Sequence, residues 1–312
     1  MSILVSGSVA FDIIISTIGK FSDQIAPGSH EDFHLSLISP VMRREYGGTA
    51  GNIAYNLALL GADTSIIAAV WEDAMSYIER LSGFGIRVGS ILAYLGQFSP
   101  QAYIIYDEAA GQINTFHPGA MGFSGELAID NHPYTHAIIA PDSKEGIQRR
   151  MKECEDRGIF RIFDPGQMTF IFSGDELKDL TIRANLTIIN EYEREMFQKF
   201  TGTDFIELCR AYGSAGIVTK WEKWAEIFTE TETISIPPIY VENVVNPTGC
   251  GDAFRAGLLY GLENGWALEK SARLGSILGG IKVQHHGWQN HTFDHMSIDV
   301  IAMREFWEKF FA

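Results

Sequence analysis

The stretch VNPTGCGDAFRAGL, residues 245–258, sets one carboxylate, Asp252, behind a Gly-Cys-Gly turn and at the head of a helical pattern. Gly249 and Gly251 let the backbone bend until successive N–H groups converge on one point. The dipole of a helix starting there favours an anion at the same point. Like charge makes Asp252 a poor phosphate ligand, but it is placed to accept a proton from a hydroxyl that attacks a phosphoryl group. The same letters also describe a plain aspartate cap on a glycine turn.

Three other clusters carry chemistry. In REYGGTAGNIAYNLALLG, Gly47 and Gly48 precede Asn52, whose amide both donates and accepts; an ordinary loop-to-helix turn reads the same way. In GSVAFD, Asp12 follows the first apolar run, and a carboxylate can accept two hydrogen bonds from vicinal hydroxyls. In NEYERE, Asn190 and Glu193 are three apart and share one side of a helical turn. Their oxygens suit Mg²⁺, directly or through water, and equally suit an acidic helix start.

To bring these groups together the chain needs a frame. The runs ILVSGSV, TSIIAAV, HAIIAP, FRIFDP, LTIIN and AGIVTK read as strands, alternating with helical patterns at 50–60, 74–84, 144–157, 192–200 and 204–212. Such alternation predicts an α/β fold with a mostly parallel sheet and helices on both faces. Ligands then sit at the carboxyl ends of the strands, where Asp12, Asp142, Asp164 and Asn190 fall. Residues 18–46 and 91–116 lack a helical period and read as strands of a small accessory sheet, with a hairpin turn at 108–111. From Asp252 onward the pattern is helical, at 252–264, 267–285 and 296–311. No linker or internal repeat divides the chain, so residues 1–312 read as one domain.

The 312 residues are 46% hydrophobic and 20% charged, which supports a large core. A net charge of −15 argues against nucleic-acid or anionic-membrane partners. Cys154, Cys209 and Cys250 are scattered and odd in number, so a reducing compartment fits. The first residues read as a buried strand rather than a signal peptide, and no apolar run reaches the roughly 20 residues of a membrane span. The expectation is a cytoplasmic protein without membrane attachment. A GxxxxGK[ST] loop and a GxSxG elbow are both absent, and HHGWQNH at 285–291 matches no zinc spacing.

The four motifs in this order resemble the ribokinase-like (PfkB) carbohydrate and nucleoside kinases over essentially the whole chain. The pieces REYGGTAGNIAYNLALLG, QINTFHPGAM, FDPGQM, PTGCGDAFRAGLLYG and GWQNH look most like the bacterial adenosine-kinase-like branch. The resemblance implies a three-layer α/β/α domain with a β-sheet lid formed by about 16–46 and 91–118. It implies ATP and Mg²⁺, and transfer of the γ-phosphoryl group to a primary hydroxyl, the 5′-hydroxyl of adenosine first. By the same resemblance Asp252 is the base, and Gly249, Cys250 and Gly251 offer N–H groups to the phosphoryl. Asp12, Gly48 and Asn52 hold ribose hydroxyls, and Phe116 is either a stacking partner for a base or a phenylalanine of the lid core. Asn190 and Thr219 lie along the nucleotide, and Glu193 organises Mg²⁺. A lid with an exposed sheet face is compatible with a homodimer through the lid, and a monomer is equally compatible.

Three stretches depart from the family pattern. Asn246 stands where the signature opens on Asp, a carboxylate that in the family helps hold an activating monovalent cation, so K⁺ dependence is placed in question. Trp221 and Trp224 occupy a nucleotide loop that is otherwise glycine-rich, and Trp288 replaces a small residue. Two alternatives to an adenosine kinase are a ribokinase- or fructokinase-like sugar kinase and a degenerate kinase that binds a nucleoside with little turnover.

Overall fold

The computed structural model describes residues 2–24, 36–109, 111–220 and 225–311. Trp221, Trp224 and part of the first expected insertion lie outside the described residues.

The first seven strands are β1 (Ile3–Ser6), β2 (Ala10–Ser16), β3 (Val41–Gly47), β4 (Thr64–Val70), β5 (Arg87–Ala93), β6 (Gln101–Tyr106) and β7 (Gln112–His117). Six more follow: β8 (His136–Ile139), β9 (Phe160–Phe163), β10 (Leu186–Asn190), β11 (Ala215–Thr219), β12 (Ala225–Phe228) and β13 (Thr233–Ile236). Among the described residues they form two sheets. The larger has nine strands in the order β13-β12-β11-β10-β9-β8-β1-β4-β5, the smaller four in the order β3-β2-β6-β7. The large sheet is parallel from β11 to β5, and β12 and β13 extend it antiparallel at one edge.

The helices are α1 (Phe21–Gln24, a single turn), α2 (Thr49–Leu59), α3 (Met75–Gly83), α4 (Lys144–Asp156) and α5 (Gly174–Arg183). Then come α6 (Glu191–Thr201), α7 (Phe205–Tyr212), α8 (Cys250–Glu263), α9 (Leu268–Lys282) and α10 (His295–Phe306). Alternate strand residues point to opposite faces, and the core divides accordingly. Ile3, Val5, Ile66, Ala68 and Val70 pack with Ile53 and Leu57 of α2 and Leu258 of α8. Leu4, Ile67, Ala69 and Ile139 pack with Met151 of α4, Leu177 of α5 and Phe205 of α7. The strands of a sheet covered on both faces read as unbroken apolar runs, which is why all six were visible in the sequence.

The small sheet differs from expectation at its borders. Ile91–Ala93 belong to β5, which pairs with β4 at the edge of the large sheet. Half-exposed, that edge strand carries the mixed pattern of an accessory strand. Asp12 lies within β2 of the small sheet, whose strands begin at Ala10. The hairpin β6–β7 turns at Asp107, whose carboxylate accepts from the N–H groups of Ala109 and Gly111. Helix α5, β12 and β13 are elements that the sequence pattern does not predict. No helix of the described residues is long and apolar enough to cross a membrane.

Candidate active site

Helix α8 begins on Gly249, which sits at φ 83°, a left-handed conformation that suits glycine. The first N–H groups of a helix lack intrahelical acceptors, and Asp252 stands in that first turn. Its carboxylate Oδ2 accepts from Asn52 Nδ2 at 2.8 Å. Burial pushes the Asp252 carboxyl up to about 7, with the negative charges of Asp164 and Asp12 acting the same way; Arg255 and the Asn52 bond oppose this. A carboxyl titrating near neutrality is suited to act as a general base at physiological pH.

Asn52 is delivered by the double-glycine turn. Gly48 has φ 80°, and a Cβ there would lie 2.5 Å from the Ser8 carbonyl oxygen and 2.6 Å from Ala10 N. Its absence lets α2 start against the β1–β2 connection, where Ala50 N–H donates to Ser8 O at 3.0 Å. Gln289 Nε2 donates to Asn52 Oδ1 at 3.0 Å and also to the Tyr77 hydroxyl, which in turn donates to Gly47 O at 2.8 Å. With its oxygen held by Gln289, the Asn52 amide must present NH₂ to Asp252.

Asp12 is buried beside the same turn, and a Cβ on Gly47 would lie 2.6 Å from Asp12 Oδ2. Its carboxyl is pushed up to about 7 by burial, countered by a hydrogen bond from the Trp288 side chain and reinforced by Glu45 across the strand pair. Trp288, a departure in the sequence, is therefore a buried donor to Asp12. The register places Glu45, Asp12, Ala102 and Phe116 in one row across β3, β2, β6 and β7. Directly paired residues share a face, so Phe116 stands on the face of Asp12 two strands away, with the small Ala102 between. Phe116 is 45% exposed, available to a ligand rather than committed to a core.

On the other side of Asp252, Arg255 forks onto Asp164, Nη2 to Oδ1 at 2.8 Å and Nε to Oδ2. Both are buried. Sequence reasoning assigned Arg255 no role; a lone arginine in the apolar pattern DAFRAGLL was the available signal, since buried charges need partners. Glu193 borders the same guanidinium. Burial and Asp164 push its carboxyl up, while Arg255 pulls it down.

Asn190 and Glu193 form a reciprocal cap at the head of α6, each side chain bonding the other's N–H at 2.8 Å. Thr219 is paired with Asn190 across β10 and β11. No cluster of three ligating side chains able to hold a metal exists among the described residues. Glu193 is thus a single carboxylate with one oxygen already engaged. A Mg²⁺ ion here would be held largely by water and substrate phosphates, its usual habit. Asp252, Asn52, Gly48, Asp12 and the 249–251 turn, each singled out by the sequence, meet around one point, and Glu193 with its capping partner Asn190 connects to it through Arg255.

A three-layer α/β/α domain with a small sheet at its strand ends, and a carboxyl at a glycine-opened helix start, defines a ribokinase-like phosphotransferase. Comparison with known proteins agrees. Residues 17–295 match the pfkB family carbohydrate kinase, and the chain belongs to that family. The nucleoside kinase of Burkholderia thailandensis, solved in complex with inosine, is 36% identical, with 98% of this chain and 99% of that chain covered and a TM-score of 0.86. The same protein in complex with ADP-inosine superposes at a TM-score of 0.83, with 36% identity over 98% of this chain and 97% of that one. The nucleoside kinase of Methanocaldococcus jannaschii, an archaeal member of the ribokinase family, is 26% identical over 97% and 98% of the two chains, with a TM-score of 0.88. The protein is accordingly a phosphotransferase acting on a hydroxyl acceptor.

Proposed function

We propose that the protein is a nucleoside kinase transferring the γ-phosphoryl group of ATP to the 5′-hydroxyl of adenosine. The observation that carries this reading is the Asp252 carboxyl, raised toward neutrality and held by Asn52 at the open end of α8. The acceptor oxygen forms a bond to the γ-phosphorus as the bond to the ADP oxygen breaks, and the hydroxyl proton passes to Asp252. Backbone N–H groups of Gly249, Cys250 and Gly251 face the charge that develops on the phosphoryl oxygens, a stabilisation that is often the largest single catalytic contribution. Mg²⁺ arrives with the nucleotide as part of the substrate, near Asn190, Thr219 and Glu193.

Asp12, Gly48 and Asn52 hold the ribose hydroxyls, and Phe116 stacks on the base. Strands lie about 4.8 Å apart, so Phe116 stands roughly 10 Å from Asp12 along the row. That offset favours a ligand with a flat group beyond its sugar over a free pentose. The small sheet is the lid that excludes water, which would otherwise take the phosphoryl group. Its close nucleoside-kinase relatives support the choice of acceptor class. The test is a radiolabelled-ATP assay across adenosine, inosine, cytidine, ribose and fructose. Adenosine should be the preferred acceptor. Preference for ribose or fructose would make this a sugar kinase, and nucleoside binding without turnover would make it a degenerate one.

A further inference from the structure

Lys282 ends α9 with its side chain wholly buried, 0% exposed, directly beneath the glycine turn. Its ammonium donates to the carbonyl oxygens of Asn246 at 2.9 Å and His285 at 3.5 Å, and lies 5.7 Å from the centre of the Trp288 ring. Among the described residues no carboxylate forms an ion pair with it. A Cβ on Gly249 would lie 3.5 Å from Lys282 Cε, so the lysine stem passes one methyl group away from the residue that opens α8. The loop before the turn is clamped to the same helix end. The N–H groups of Val245 and Asn246 donate to Val283 O at 2.8 and 2.9 Å.

A buried ammonium is retained at a cost unless paired, and carbonyl dipoles and an indole face compensate only part of the lost hydration. The missing partner is an anion, and the turn above is shaped to receive one. Burial lowers the Lys282 ammonium's proton affinity, whereas the neighbouring Cys250 and then Asp252 raise it.

We propose that Lys282 is a positioning residue that serves as a built-in monovalent cation for the phosphoryl site. Its ammonium fixes the Asn246 carbonyl, and with it the 246–251 loop. Its charge stabilises the transferring phosphoryl group from behind the N–H groups that contact it. This rests on the kinase reading given above. With this cation covalently supplied, phosphoryl transfer needs no added monovalent ion.

Three proteins test it: wild type, Lys282→Gln, which keeps a donor for the Asn246 carbonyl without the charge, and Lys282→Ala, which leaves a carbonyl-lined hole. Wild-type rates with adenosine should be equal in K⁺, Na⁺ and tetramethylammonium buffers. Lys282→Gln should lose about 100-fold in kcat, the scale of one removed electrostatic stabiliser, while the adenosine KM stays within a few-fold. Lys282→Ala should regain rate, and rise in melting temperature, on addition of K⁺ or methylammonium, with neither effect in wild type. A Lys282→Gln enzyme with wild-type kcat would overturn the proposal. So would a Lys282→Ala protein whose rate and melting temperature ignore every cation. If wild type transfers no phosphoryl group, the kinase reading fails, and the melting temperatures alone still decide whether a cation belongs at Lys282.

Discussion

Asn52 and Asp252 stand 200 residues apart in sequence, and their side chains meet at 2.8 Å, amide Nδ2 to carboxylate Oδ2. The contact joins the start of α2 to the start of α8, the two helices that the glycine motifs deliver to the same end of the large sheet. Asp252 thereby has a fixed orientation, and the bond holds its carboxyl lower than burial alone would set it.

Asp252→Asn should lower kcat by about 10²–10⁴-fold, the range for loss of a general base, with little change in adenosine affinity by calorimetry. In wild type, kcat/KM should rise with pH through an apparent value near 7, where the Asp252 carboxyl titrates. The stability effect has the opposite sense. The folded state binds the proton more tightly than the unfolded chain, so wild type loses stability as pH rises from about 4 to about 7. Asp252→Asn should therefore melt higher than wild type at pH 8, and the gap should close toward pH 4. A melting-temperature series in pH checks this, and an unchanging gap would refute the assignment.

Asp12 contributes to the raised position of Asp252 through its negative charge. Asp12→Asn should then shift the rising limb of the kcat/KM profile to lower pH while increasing the nucleoside KM. Asn52→Leu removes a bond that lowers the Asp252 carboxyl, so its limb should move the other way, to higher pH. Opposite shifts in the two pH profiles are the readout. Shifts in the same direction would mean that the limb belongs to another group.

Gln289→Leu tests the support behind Asn52. It strands the Asn52 carbonyl and alters the Tyr77 contact in a buried setting, which should cost about 1–3 kcal/mol in urea unfolding. With its oxygen released, the Asn52 amide can rotate away from Asp252, so the rate should fall as well. Because both changes act on one amide, the kinetic effects of Gln289→Leu and Asn52→Leu should be far from additive in a double-mutant cycle.

The unequal legibility of these parts has physical causes. The six long apolar runs became strands because a parallel sheet covered on both faces needs unbroken apolar sequence. Helix α5 is hidden in the sequence although Ser173 and Glu176 form a capping box at its start, because the polar GDELKD face masks its period. The antiparallel strands β12 and β13 are only four residues each, AEIF and TISI, with acidic residues among and around them and β13 largely exposed at the sheet edge, so the sequence shows no long apolar run there. Asp252, Asn52 and Asp12 stood out by their glycine neighbours. Their distant supports did not, because no local rule pairs Arg255 with Asp164 across 91 residues or Trp288 with Asp12.

Phe116 offers the sharpest separation of nucleoside from sugar recognition. It is on β7, at the edge of the small sheet, and shares a row with Asp12 and Ala102. At 45% exposure it contributes little to a core, so Phe116→Ala should leave the melting temperature nearly unchanged. Losing one aromatic contact with a base should weaken adenosine binding by about 1–3 kcal/mol, the scale found for base–aromatic stacking. The loss should fall on KM, since the ring touches the base and not the reacting phosphoryl group. Ribose, which has no base to stack, should bind the variant and the wild type alike. Calorimetric titration of both proteins with adenosine and with ribose decides it: equal adenosine affinities would move the base site away from β7, and a parallel loss for ribose would show that the sheet itself had shifted.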